Sequence, residues 1–172
     1  MQNSIHIIDN IFSNKQRKKL IKDSHPHFFV GGEDSDLNKG RLKTSYLHLH
    51  KDFKSPSRQI VSLFEKDLKV RLEIANLWIT STRGESIPYH THYFDYSCVY
   101  YMKTNPLLRN NGTVFKFSDN SENLVKAPQN SAMLFPCSFL HTVPSFFLPI
   151  RRYSLAMDLV IVNDDGTYKN FL

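Results

Sequence analysis

From about position 73 onward the chain is a series of short runs rich in β-branched and aromatic residues, each closed by turn chemistry. The runs fall at about 74–81, 98–103, 113–117, 132–135 and 152–162. Between them stand Arg83-Gly84, Asn110-Asn111-Gly112, Ser118-Asp119-Asn120, Pro128-Gln129-Asn130 and Pro144. A chain cut this way predicts many short strands that must bury their apolar faces against one another. Aromatic residues, thirteen Phe and eight Tyr among them, reach 13% and favour sheet over helix.

The first part of the chain reads differently. Residues 4–11, SIHIIDNI, suit a first strand. Ser13 is placed as a helix N-cap with Gln16 three residues on, the spacing of a capping box, and Phe12 before it is placed for a hydrophobic staple. That helix is expected to run to about 23, with Leu20 and Ile21 inward. A polar loop is expected around 31–34. The run SYLHLH at 45–50 alternates and predicts a strand, with His48 and His50 as part of its face. Ser55-Pro56 is expected to open a second helix whose stripe is Ile60, Phe64 and Leu68, with Val61 and Leu63 alongside. Two helices followed by many short strands predict helices backing a β-sandwich, with a jelly roll as its closed form. The reading is one domain over 1–172, with helical support to about 72 and a jelly-roll core over about 73–165.

Composition narrows the setting. No apolar run approaches the roughly 20 residues of a membrane span, and the N-terminus lacks the pattern of a signal peptide. A cytoplasmic location is expected, or the host cytoplasm for a phage-encoded chain. Cys98 and Cys137 form no CxxC pair and are expected as reduced, buried residues. The net charge of +6 is modest. Lys15, Arg17, Lys18 and Lys19 are expected on a solvated helix face.

Two stretches carry chemistry. Residues 84–102, GESIPYHTHYFDYSCVYYM, hold His90, His92 and Asp95 within six positions. On an extended chain His90 and His92 point to one face. Residues 132–155, AMLFPCSFLHTVPSFFLPIRRYSL, add His141, then Arg151, Arg152 and Ser154. A close pair of ligands plus one distant histidine is what a three-ligand metal site requires. Arg152 and Ser154 share one face of the last apolar strand. An arginine turned into an apolar sheet needs an anionic partner, and its planar fork matches a carboxylate. Turned outward, Arg151 and Arg152 would merely begin an exposed strand.

Taken in order, Trp78, GESIPYHTHYFDYSCVYYM, GTVFKF from Gly112, LFPCSFLHTV and RRYSLAMDLVI resemble the 2-oxoglutarate- and Fe(II)-dependent oxygenases. The resemblance is to small phage or bacterial hydroxylase-like members and covers about 78–162. It implies a double-stranded β-helix and a facial triad of two histidines and a carboxylate on Fe(II). His90 and His141 match the two histidines of that triad. Arg152 matches the residue that pairs with the far carboxylate of 2-oxoglutarate, Ser154 its hydroxyl partner, and Tyr101 an assisting strand tyrosine. The departure is at the second ligand, where the family motif is HxD and this chain has His92. The expected set is His90 or His92 with Asp95 and His141, and three histidines are the alternative.

The resemblance implies oxidative decarboxylation of 2-oxoglutarate to succinate and CO2, with hydroxylation of an unidentified substrate C–H bond. A small molecule or a protein side chain is the favoured substrate. No recognition helix or base-stacking motif supports nucleic acid. The loops at 29–42 and 104–111 are expected to shape entry. Two other readings stay open: a cupin-like metalloprotein with three histidines and no 2-oxoglutarate, and a metal-free β-sandwich binding protein.

Overall fold

The computed structural model describes residues 4–30, 42–44, 47, 50–104, 111–145 and 150–168. The elements are β1 (His6–Ile8), α1 (Asn14–Ser24), β2 (Phe29–Val30), β3 (Leu42–Lys43), α2 (Lys51–Leu68), β4 (Arg71–Thr82), β5 (Ile87–His90), β6 (Tyr96–Lys103), β7 (Gly112–Lys116), β8 (Glu122–Lys126), β9 (Ala132–Pro136), β10 (Leu140–Val143) and β11 (Arg152–Val162). The larger sheet has the order β1-β9-β6-β11-β4-β3-β2, the smaller β5-β10-β7-β8. All pairings are antiparallel. From β4 to β11 the chain passes back and forth between the two sheets. This is the double-stranded β-helix.

The larger sheet is covered on one face by the helices. Leu77 and Ile79 of β4, Tyr100 and Met102 of β6, and Leu155 and Met157 of β11 join Ile60, Val61 and Phe64 of α2 in one core. Each such side chain contributes about 1.5–3 kcal/mol on burial. The opposite face meets the smaller sheet over a second, smaller cluster of Tyr101, Phe115, Ala127, Met133 and Phe135. Among the described residues no helix is long and apolar enough to cross a membrane. Cys98 and Cys137 are buried and unbridged.

The capping box at α1 is formed as expected. Gln16 N donates to Ser13 Oγ at 3.3 Å, and Ser13 N donates to Gln16 Oε1 at 3.0 Å. The staple is not. Its partner position is Arg17, so Phe12 instead packs edge-on against Tyr100, ring centroids 5.3 Å apart. Arg17 also leaves the solvated face predicted for it. It is buried, and its guanidinium donates to the Met102 carbonyl at 2.8 Å and to Asn14 Oδ1.

Helix α2 begins at Lys51, ahead of Ser55-Pro56, with His50 as N-cap and Pro56 inside. Burial of Phe53 (0% exposed) draws in the extra turn. That gain outweighs the one backbone bond a proline forfeits. Of the run read as a strand at 45–50, Leu47 and His50 lie among the described residues, and neither is in a strand. Leu47 is buried with 3₁₀ geometry, β3 lies just before it, and His50 caps the helix with its ring 4.3 Å from that of His27. His48 and the loop at 31–34 lie outside the described residues. Strands β5, β8 and β10 add to the runs read from sequence. β8 is largely exposed and polar, so it carries no apolar signal.

Gly112 begins β7 opposite Lys126 of β8. A side chain there would run into the Val125 carbonyl, which is backbone and cannot step aside. Gly112→Ala is therefore expected to lower stability by about 1–3 kcal/mol, read as a lower urea midpoint at unchanged m-value. Gly166, where an added methyl meets nothing within 4 Å but φ is +82°, is the control for backbone strain alone. A Gly112→Ala midpoint equal to wild type would refute the close approach.

Candidate metal centre

The site is assembled from rows of side chains across the larger sheet. Antiparallel register places Asn76, Asp158 and Ser97 side by side, then Trp78, Ala156 and Val99, then Thr80, Ser154 and Tyr101. Lys43 extends the last row from β3. These rows face the smaller sheet, where His90, His141 and Phe115 lie directly across β5, β10 and β7. Between the sheets is a cavity of about 290 Å³ whose lining includes the three histidines, Trp78, Tyr101 and Arg152.

His90, His92 and His141 come together. Each offers a nitrogen, and these nitrogens lie within 4.8 Å of one another. The ring centroids are 4.2 Å apart for His90 and His141, 5.1 Å for His90 and His92, and 5.3 Å for His92 and His141. His90 ends β5 and His141 sits within β10. His92 lies in the following connection, fastened by its backbone N–H on the Cys137 carbonyl at 3.0 Å.

The tautomers follow from the partners. His90 Nδ1 bonds the Pro88 carbonyl at 2.8 Å, and His141 Nδ1 the Phe139 carbonyl at 2.8 Å. His92 Nδ1 bonds Asp158 Oδ1 at 2.9 Å. Carbonyls and carboxylates only accept, so each Nδ1 must carry the proton. All three Nε2 lone pairs are left for a shared ion. Imidazole–metal bonds run about 2.0–2.1 Å for zinc, so small side-chain rotations close the triad. The donor set fits a divalent transition metal that accepts imidazole.

The carboxylate expected at Asp95 is elsewhere. Asp95 Oδ2 accepts from the Ile161 amide at 2.8 Å, and Asp95 N–H donates to the Leu159 carbonyl at 3.1 Å. The residue ties the connection behind His92 to β11, which uses its carboxylate on backbone. The carboxylate at the site is Asp158, which sequence reading missed. Its signal was parity: on β11 it lies four residues beyond Ser154 and shares that residue's face.

Arg152 is inward, 5% exposed, and lines the cavity with Ser154. Burial lowers its guanidinium to about 10, a shift opposed by Tyr101, so it remains cationic at neutral pH. Arg151 instead reaches Ser81 Oγ at 3.2 Å. Tyr101 shares a 2.6 Å hydrogen bond with Thr113 across the two sheets. Trp78 stacks along His92 at 5.8 Å, with the Lys43 ammonium 5.1 Å over its ring.

Several solved structures share this arrangement of sheets. A 2OG-Fe(II) oxygenase family oxidoreductase from Burkholderia pseudomallei superposes with a TM-score of 0.69 over 90% of this chain and 84% of its own, at 10% identity. The chain has the fold of the 2-oxoglutarate- and Fe(II)-dependent oxygenases. A Pseudomonas putida prolyl-4-hydroxylase matches at a TM-score of 0.64 over 90% and 91% of the two chains, at 13% identity. HygX from Streptomyces hygroscopicus, solved with nickel and 2-oxoglutarate bound, matches at 0.64 over 90% and 82%, at 8% identity. No protein-family profile and no curated protein matches the sequence. Relative to the oxygenase triad of two histidines and a carboxylate, this site has an imidazole at the second position.

His141 is 4% exposed, and burial lowers its pKa from 6.5 to about 4. The Phe139 carbonyl opposes that shift, and the neighbouring imidazoles add to it. In the unfolded chain this histidine takes a proton near 6.5, before the folded protein does. The unfolded state thus binds more protons between about pH 6.5 and 4. Stability of the metal-free protein is expected to fall as pH falls through that window. His141→Asn should flatten the fall relative to wild type when urea midpoints are compared at pH 7 and pH 5 in chelator. Parallel slopes for the two proteins would mean that His141 is not held neutral.

Proposed function

We propose that the protein is a 2-oxoglutarate- and Fe(II)-dependent oxygenase that hydroxylates a C–H bond of a small molecule or a protein side chain. Succinate and CO2 would be the co-products. One observation carries this reading: a buried arginine opens into the same cavity as three convergent imidazoles. A guanidinium opening into that cavity suits a carboxylate ligand, because its planar fork matches two carboxylate oxygens.

His90, His92 and His141 would hold the ion through Nε2. Arg152 would grip the far carboxylate of 2-oxoglutarate, with the Ser154 hydroxyl beside it. Tyr101 and Thr113 close the wall between the sheets. Trp78 keeps the His92 ring in place and limits water at its flank. Bound iron with 2-oxoglutarate supplies the oxidising chemistry, and the protein's part is to orient the cosubstrate and keep the pocket dry.

The three-histidine set favours a second reading, a cupin-like metalloprotein that does not use 2-oxoglutarate. Anaerobic titration of the Fe(II)-loaded protein with 2-oxoglutarate separates the two. A weak visible charge-transfer band is expected on chelation, and no band together with no calorimetric binding would favour the cupin-like reading. Arg152→Ala should weaken 2-oxoglutarate binding by about 10-fold or more, the scale of a charged hydrogen bond. Its affinity for metal alone should stay within about three-fold of wild type. Equal loss of metal and 2-oxoglutarate would discard the clamp.

A further inference from the structure

Asp158 is 4% exposed on the central strand of the larger sheet. Three groups converge on its carboxylate: His92 Nδ1 at 2.9 Å, Asn76 Nδ2 at 3.1 Å and Ser97 Oγ at 3.5 Å. Both its strand neighbours in the row are thus used to hold it. Among the described residues no lysine or arginine is paired with it. A buried carboxylate without a cation is expensive. A divalent ion on the far side of the His92 ring would offset that cost.

The arrangement is also selective. Among the described residues, His90 Nδ1 and His141 Nδ1 bond neutral backbone carbonyls, whereas His92 Nδ1 bonds a carboxylate. A triad of two histidines and one carboxylate brings its own negative charge to the metal. Three neutral imidazoles bring none. A carboxylate hydrogen-bonded to a ligand imidazole raises the basicity of that ligand and fixes its orientation.

We propose that Asp158 supplies, through the His92 ring, the negative charge that the three-imidazole centre otherwise lacks. It is a positioning residue, and the carboxylate of this metal centre stands one ring removed from the ion. The proposal rests on the reading of the three histidines as a metal site.

The test is a double-mutant cycle read by Co(II) affinity, measured calorimetrically on the full chain without 2-oxoglutarate. Asp158→Asn keeps the size and an acceptor oxygen but removes the charge. It is expected to lower Co(II) affinity by about 10- to 100-fold. His92→Asp places a carboxylate on the metal directly. In that background Asp158 is no longer needed and faces a like charge, so the same Asp158→Asn change is expected to leave affinity unchanged or to raise it. Equal losses in both backgrounds, or no loss in the wild-type background, would overturn the proposal. Asp158→Glu, which retains the charge, should bind more tightly than Asp158→Asn, and the reverse order would also overturn it. Near-UV circular dichroism of the metal-free variants checks folding. Should Asp158→Asn not fold, Asn76→Ala loosens the carboxylate instead, with a loss expected in the wild-type background and none with His92→Asp. A wild-type protein that binds no Co(II) would remove the metal reading itself, an outcome distinct from those above.

Discussion

Strand β11 carries the constraint on which both fold and site depend. It is paired along its whole length with β4 and along most of it with β6. Both its faces are buried, and they have opposite characters. Leu155, Met157, Leu159 and Ile161 face the helices. Arg152, Ser154, Ala156 and Asp158 face the smaller sheet. Because side chains alternate strictly, a slip of one residue would drive an arginine and an aspartate into the apolar core and turn the leucines into the cavity. The cost of burying two charges against hydrocarbon fixes the register. The same register places Arg152 and Asp158 on one wall of the cavity.

Electrostatics then divide the cavity. At one end a guanidinium remains charged although burial works against it. At the other a carboxylate leans on an imidazole, and beyond it two further imidazoles are held by backbone carbonyls. Burial lowers the His141 pKa to about 4, so its nitrogen stays free to ligate at mildly acid pH as well. An ion and a dianionic cosubstrate would sit between positive and negative walls rather than in a uniform field. Lys43, over Trp78, extends the row of Thr80 and Ser154 and adds to the positive side.

Much of this was legible in the sequence because it rests on local rules. The capping box at Ser13 and Gln16 needs only a spacing. The β11 run at 152–162 needs only an apolar pattern long enough to be seen. The meeting of His90 and His92 with His141 followed from an HxH beside a strand and a histidine at a strand end. What failed was long-range. Asp95 stood near the histidines in sequence, yet its carboxylate satisfies an amide 66 residues away. Asp158 stood far from them and could be assigned only by strand register. Helix α2 started early because Phe53 finds a pocket, which outweighs the proline rule. Arg17 was read by its neighbours in a basic run, whereas its place is set by the Met102 carbonyl.

The three solved structures compared above share only 8–13% of residues with this chain over most of its length. That divergence is understandable if selection acts on parity and register more than on identity. A jelly roll needs apolar side chains at alternate positions, and many residues meet that need. The proposed site needs a few groups at fixed places on β5, β10, β11 and the connection that carries His92. Three imidazoles without a carboxylate would bring no negative charge to the proposed ion. Here Asp158 stands behind the His92 imidazole, held by Asn76 and Ser97 from the strands on either side. A carboxylate can leave the first contact with the ion and still be felt there, provided the ring between them is held rigidly. The stack against Trp78 and the backbone bond to Cys137 both restrain that ring.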